Sequence, residues 1–355
     1  MKKNIIIVSL NIFFLIAFLA CQLISASIIK PFYNQQAARA WAGQSGERFV
    51  QLSVFLPDSS SFDVSSIMST RASINTSLLT ASLDTGGGRS LFADAWAAYG
   101  TVSILSDRGR TTTASAIGVG GDFFMFHPMQ LRHGSYLSPN DIMKDLVVLD
   151  EELAWRLFGA TRVTGMEVLI NGKPFIISGV ISRESDFASV AAYTAGEGLY
   201  MSYETLDAMM DGGARIASYE IVMPNPVSNF ALNIVSDLFS QDGIHIVQNT
   251  ERFSAANQLS IIGSFGERSM RTDTTAFPYW ENAARFAEDR LALLLLLSII
   301  FMVFPVICAV IYSVKLIRFG IKQLKKAIKL YIKKRDDRAY QRYKANQKLK
   351  LFGNK

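Results

Sequence analysis

Apolar and polar positions alternate along the chain in three distinct ways. Two long apolar runs, Asn4–Ile29 and Leu291–Val314, bracket a stretch in which apolar residues recur at strand or helix spacing, and a basic stretch follows. At helical rise the run Leu291–Val314 reaches about 36 Å, enough for a tilted bilayer crossing. The first run has three readings. Ser25-Ala26-Ser27 offers small residues for signal cleavage, and Cys21 follows Leu19-Ala20 as a lipidation site would. The run is long for a signal core, however, and Phe18 stands where a lipobox usually has Leu, so the pattern favours an uncleaved anchor.

Between the runs, Phe49–Leu56 alternates as a strand does, and Phe62–Leu83 carries Val64, Ile67, Met68, Ile74, Leu78 and Leu79 on one broad helical face. Ala95–Leu105 and Thr111–Val119 flank the turn residues 106–110 as a hairpin. Further on, Ser218–Met223 reads as a strand, Pro226–Gln241 as a helix with a Val227, Phe230, Ile234, Leu238 stripe, and Ile244–Val247 as another strand. Two strand-helix-strand units of this kind predict a split βαβ sheet with both helices on one face. The fold class is therefore α+β, a two-lobed extracytoplasmic domain with an inserted β-rich lobe between two transmembrane helices. The predicted organisation is a membrane helix at 4–29, the sheet lobe in two parts at 30–120 and 214–280, the inserted lobe at 121–213, a stalk and membrane helix at 281–314, and a basic tail at 315–355.

The inserted lobe contains the most sharply punctuated local structure. Leu146–Leu149 is a short strand that passes into a helix with Asp150 as N-cap, Glu151 and Glu152 in the first turn, and Gly159 at the C-terminal cap. Met166–Ile170 and Lys173–Val180 then surround Asn171-Gly172, the pair suited to a two-residue type I′ turn. Ser182–Gly198 reads as an irregular loop, Leu199–Met201 as a strand, and Tyr203–Met210 as a helix ended by Gly212-Gly213. Residues 250–290 are polar; Ala283–Arg290 enters the second apolar run as a stalk helix, in which Pro305 predicts a kink.

Half of the residues are hydrophobic, as expected of a membrane protein. Residues 315–355 carry fifteen Lys and Arg against Asp336 and Asp337, a net +13; with Lys2 and Lys3 at the other end, the rest of the chain is left at −9. The positive-inside bias predicts both termini on the cytoplasmic side and 30–290 outside. The basic balance belongs to the tail, so it does not point to nucleic acid. Cys21 and Cys308 both lie in apolar runs, which leaves the outer domain without disulfides. In the tail, Ile317, Ile321, Leu324, Ile328 and Tyr331 recur at four-three spacing, with Lys322, Lys325, Lys326 and Lys329 mostly off that stripe. Such a helix suits an anionic inner leaflet or a partner protein, or serves only to fix topology.

Candidate chemistry is thin. Asp84-Thr85-Gly86 has the form of an aspartic-protease triplet but lacks the second one that a shared proton requires. Gly86–Ser90 lacks the lysine of a phosphate loop, and Gly118–Gly121 has the same weakness. His127, His133 and His245 are not spaced as metal ligands, and Ser135, Ser138 and Ser185 have no nucleophile-elbow context. Phe123–Phe126 reads as core, and Asn75-Thr76-Ser77 falls within a predicted helix. The expectation is no catalytic, cofactor-binding or metal residue, no cofactor, and no enzyme activity.

The segments GGDFFMFHPMQLRHGSYLS, LVVLDEELAWRLFG and VLINGKPFIISGV together resemble the MacB-like periplasmic core domain of ABC-transporter permeases (FtsX-type family). The resemblance rests on the order of Phe124, Gly134, Val147, Val148, Ala154, Leu157, Phe158, Gly159, Gly165, Asn171, Gly172, Gly179 and Val180. It implies a two-lobed outer domain between a first and a second membrane helix, acting as a mechanical part that relays movement driven by a cytoplasmic ATPase. The chain departs from the family in looking truncated after the second transmembrane helix and in having no ATP-binding segment. The function expected is that of an accessory or half-size subunit, with membrane lipid, a separate permease or ATPase and a further copy as candidate partners. The alternative is a membrane-anchored extracellular ligand-binding module unrelated to transport.

Overall fold

A computed structural model of the chain describes residues 2–43, 46–83, 90–106, 108–193, 197–269 and 276–352. They fall into two compact units, one formed by Ile24–Leu295 and the other by Met1–Leu23 with Leu296–Lys355.

The chain begins with α1 (Lys2–Ile29), a 3-10 turn at Tyr33–Gln35 and the short α2 (Ala37–Ala42). The first strand-helix-strand unit is β1 (Phe49–Phe55), α3 (Val64–Thr80) and β2 (Ala93–Ser106). The inserted segment supplies β3 (Thr111–Gly121), α4 (Phe123–Phe126), β4 (Gln130–Gly134), β5 (Leu146–Asp150), α5 (Glu151–Phe158), β6 (Glu167–Ile170), β7 (Lys173–Ser182), α6 (Phe187–Ala192), β8 (Gly198–Ser202) and α7 (Tyr203–Asp207). The second unit is β9 (Ile216–Pro224), α8 (Phe230–Leu238) and β10 (His245–Gln248), followed by α9 (Ala255–Ser269) and α10 (Tyr279–Phe352).

The strands form one sheet in the order β10-β1-β9-β2-β3-β8-β5-β7-β4, with β6 pairing β2 and β7. Its first four strands are the split βαβ arrangement expected from the two units. The inserted strands continue the same sheet instead of starting another. The cause is the length of β2, which pairs β9 near its start (Ala93↔Val222), β6 at its end (Ile104↔Ile170) and β3 from Ala95↔Gly121 to Leu105↔Thr111. The two lobes are halves of one surface.

Both faces of that sheet are covered, which explains why its strands are buried on alternate and intervening positions alike. On one face, Leu52, Val54, Trp96, Val147, Leu149, Tyr219 and Ile221 pack against Ile67, Ile74 and Leu78 of α3, Leu153 and Leu157 of α5, Leu206 of α7 and Val235 of α8. On the other, Ala93, Ala95, Ala97, Val148, Tyr200 and Val222 lie under α2, Phe123 and Phe126 of α4, and Trp280 of α10. Alanines on β2 leave room for those large rings.

Local sequence explains the punctuation. Asp150 Oδ1 accepts the N–H of Leu153 at 2.6 Å, and Gly159 closes α5 at φ +69°. Asn171 (φ +47°) and Gly172 (φ +81°) form the turn between β6 and β7, and Asn171 Oδ1 also accepts the N–H of Ser103 at 2.9 Å. Gly172→Val should therefore lower stability by about 1–2 kcal/mol, the cost of a branched residue at left-handed φ, read as a shift of the thermal melt of the full chain in detergent.

Three expectations need correction. Residues 182–198 are not wholly irregular: α6 lies within them, capped by Asp186 Oδ1, which accepts from Ala188 and Ser189 N–H groups, each at 3.1 Å. The polar stretch after residue 250 contains α9, and α10 starts at Tyr279, right after Pro278, a residue well placed before a helix. The helix predicted at Pro226–Gln241 begins only at Phe230, because Asn229 holds left-handed φ. At Pro305 α10 remains one continuous helix.

In the smaller unit, α1 packs on the apolar part of α10: Phe14 stands 5.3 Å from Phe304 between ring centres, and Gln22 donates to Ser298 Oγ at 3.1 Å. Both helices are long and apolar enough to cross a membrane.

Candidate functional site

The most elaborate chemistry of the chain lies where the start of α10 meets the second face of the sheet. β1 presents Leu52 and Val54 to one face, so strand alternation sends Gln51 and Ser53 to the other. Both are fully buried and both are used. Gln51 Oε1 accepts the N–H of Ala37 at 3.0 Å, and its amide donates to the carbonyl of Asn34 at 2.7 Å, which fixes the segment leading out of α1. Ser53 donates to Glu220 Oε1 of β9 at 2.7 Å.

Glu220 in turn pairs with His127, which closes α4; each side chain is 3 % exposed. The imidazole lies between two rings, 4.6 Å from Phe123 and 4.4 Å from Trp280 between centres. Trp280 belongs to the first turn of α10, so the buried pair is roofed by that helix. Asn249, just after β10, places its Oδ1 3.1 Å from the Ser53 hydroxyl, where it shares that one proton with Glu220, and donates to Gln35 at 2.9 Å. One hydrogen-bonded chain thus joins β1, β9, α4, the 3-10 turn and the loop beyond β10.

A second network fastens the other side of α10. Arg252 donates two bonds to Glu281, at 2.5 and 2.9 Å, and its Nε donates to Glu288 at 2.8 Å. All three groups are buried. Glu281 and Glu288 are seven residues apart, two helical turns, and so face the same way. Arg285 adds a bond to Glu281 at 2.5 Å. Burial alone would push the Glu281 carboxyl up; the Arg252 and Arg285 charges and hydrogen bonds overcome it and hold its pKa below the ordinary value. Small Ala283, Ala284 and Ala287 let α10 lie close against Phe32 and α6.

A third cluster lies beside the first. Asp150, beyond capping α5, accepts from Gly198 N–H at 2.6 Å and from Arg183 at 2.8 Å. Glu184 accepts from Tyr193 and from Tyr279, whose hydroxyl also lies 3.4 Å from that of Tyr200. Burial raises the pKa of all three tyrosines, and the neighbouring Glu184 carboxylate adds to it, so at neutral pH each is a neutral phenol able to donate. These rings, with Tyr99 and Phe277, line a cavity of about 310 Å³.

The residues weighed in the sequence are dispersed. His127 is in the buried pair, His133 on β4 and His245 on β10; among the described residues no three His, Cys, Asp or Glu side chains form a metal-binding group. Phe123 and Phe126 are core, and Phe124 stacks on Tyr136. Asp84-Thr85-Gly86 lies outside the described residues. Sequence reading did not foresee Arg252, Glu220 or Glu184. The stripe Trp280, Ala284, Ala287, Leu291, with Glu281 and Glu288 beside it, was the available signal that this helix buries its start.

A family model described as the MacB-like periplasmic core domain matches residues 42–233. The chain belongs to that family. The macrolide export ATP-binding/permease protein MacB of Aggregatibacter actinomycetemcomitans is 27 % identical over 121 residues, which are 33 % of this chain and 18 % of that protein. The protein of the same description from Chromobacterium violaceum is 36 % identical over 78 residues, 21 % of this chain and 12 % of its own. The chain therefore matches less than a fifth of the length of these relatives. Among solved structures, the periplasmic region of MacB from Actinobacillus actinomycetemcomitans is similar at 19 % identity and TM-score 0.41, covering 62 % of this chain and 94 % of that one. The extracellular domain of the noncanonic ABC-type transporter YknZ from Gram-positive bacteria gives 15 % and 0.36, covering 56 % of this chain and 100 % of the other. A MacB-like core of ABC-permease type between two candidate membrane helices makes this a membrane protein with an extracytoplasmic segment. The MacB-like match includes His127, Glu220 and Arg183 but stops before Arg252, Glu281 and Glu288.

Proposed function

We propose that the chain is a non-enzymatic, two-pass membrane subunit that serves as an accessory or half-size component beside a separate permease or cytoplasmic ATPase. The observation that carries this reading is the double fastening of α10. Its first turns are held on one side by Arg252 and on the other by the packing of the Trp280 ring against His127, and the same helix continues in sequence into the apolar run. A helix gripped in this way cannot shift without moving β9 and β1, so a displacement imposed on it would be passed to the sheet. The relatives whose names include ATP-binding and permease functions support a transporter setting. The charge pattern supports a topology with both termini in the cytoplasm and 30–290 outside.

Cross-linking in native membranes followed by purification in mild detergent tests this. A membrane partner, a permease or an ATPase, should be recovered with the chain. Recovery of the chain alone would sink the subunit role. The cavity lined by Tyr99, Tyr193, Tyr200 and Tyr279 favours a second reading, an anchored ligand-binding module. That reading requires a small molecule to raise the thermal midpoint of the outer domain with no partner present.

A further inference from the structure

Beyond Val314, α10 remains helical and carries two opposed kinds of surface. Ile321, Leu324, Ile328, Tyr331 and Ile332 are all exposed and fall within an arc of about 100° at helical spacing. Lys322, Lys325, Lys326, Lys329 and Lys333 occupy a second arc of similar width, centred about 120° away. From Lys315 to Arg335 there are nine Lys and Arg and no acidic residue. Leu316, Phe319 and Leu330 are exposed as well, about 110–170° around the helix from the centre of the apolar arc.

We infer that residues 321–335 lie along an anionic phospholipid surface, with the apolar arc among the upper acyl chains and the lysines at headgroup phosphates. Charge decides the occupant. A second copy of this helix would bring nine more positive charges alongside the first nine. An anionic surface satisfies both arcs at once: it takes the apolar side chains and neutralises the lysines, each of which strengthens attachment by about fivefold near such a surface. Gly320, the one glycine of α10, stands between the apolar run and this segment. α10 runs unbroken through Gly320; because glycine holds helical conformation least well among residues other than proline, this is the point at which the proposed attachment would turn the helix from crossing to lying along the surface. Lys315 and Arg318 then end the crossing at headgroup level. This attachment needs only the crossing at 291–314 and is independent of any partner subunit.

The full chain with Cys21→Ser and Cys308→Ser, carrying a fluorophore at Leu324→Cys or at Lys326→Cys, is placed in lipid nanodiscs. With phosphatidylcholine plus about 30 % phosphatidylglycerol, the label at 324 should be shielded from aqueous iodide and quenched by spin-labelled lipid, while that at 326 stays open to iodide. Shielding at 324 should be lost in phosphatidylcholine alone, lost at high salt, and lost when Lys322, Lys325, Lys329 and Lys333 are all changed to Gln; the four Arg replacements should keep it. Equal iodide access at 324 and 326 in anionic discs overturns the attachment. So does shielding that survives the Gln replacements, or that appears only in discs holding two chains, which would mark a helix pair.

Discussion

Arg252→Met is expected to lower the stability of the outer domain by about 3–5 kcal/mol, because it removes the buried cation that Glu281 and Glu288 share. The arginine donates two hydrogen bonds to Glu281 and two to Glu288, the longer of the latter at 3.5 Å, and Arg285 adds one to Glu281. Thermal or urea unfolding of the full chain in detergent should show the loss, and adding Glu281→Gln and Glu288→Gln should recover part of it. Recovery on removing the acids separates charge from packing. The same network sets a pH dependence. The folded-state pKa of Glu281 lies below its ordinary value of 4.5, so the unfolded chain takes up the proton first. The stabilisation is complete above that value and is lost as pH falls through the lower folded one. In Arg252→Met the acid-side loss should shrink or reverse, and an acid limb unchanged from the parent would count against the ionic clamp.

The second large effect is expected at Tyr219. It is fully buried in the middle of β9, packs on Phe62 and Phe239, and donates its hydroxyl to Asp94 Oδ2 at 2.8 Å. Asp94 is otherwise held by Arg71 through two bonds of 2.6 and 2.7 Å. Tyr219→Ala should cost about 3–5 kcal/mol, as deletion of a large buried ring does. Tyr219→Phe keeps the ring and removes one bond to a charged acceptor, so it should cost about 1.5–3 kcal/mol. Equal losses from the two replacements would mean that the ring contributes nothing beyond its hydroxyl, contrary to the packing described.

What could be read from the sequence was what short-range chemistry dictates. Asp150 and Gly159 mark the ends of α5 because a cap needs only its own turn, and Asn171-Gly172 marks a hairpin because few pairs tolerate two positive φ angles. The split βαβ order followed from two strand-helix-strand units whose apolar periods were clear. α6 stayed hidden because six residues are too few to show a period, and its capping Asp186 looked like one more polar loop residue. The buried networks stayed hidden for another reason. His127 and Glu220 are 93 residues apart, and Arg252 lies on a different element from the two glutamates it binds. Nothing in local pattern distinguishes such groups from solvated charges; only their burial does. Residues 250–290 looked like a polar linker for that reason, although they hold the clamp on α10.

The position of β1 between β9 and β10 has a consequence for how the protein is made. Leu52 is paired with Ile221, 169 residues further on, on one side and with Gln248, 196 residues further on, on the other, so neither hydrogen-bonded ladder of β1 can form until most of the outer domain has been synthesised. During that interval the first strand waits beside an already anchored α1 with both edges open. Sequence separation of this size slows folding and exposes unpaired edges to wrong partners. Assembly is therefore expected to be most vulnerable late in synthesis, before His245–Gln248 docks, and a chain stopped short of β10 should be far more prone to aggregate or to be degraded than one stopped after it.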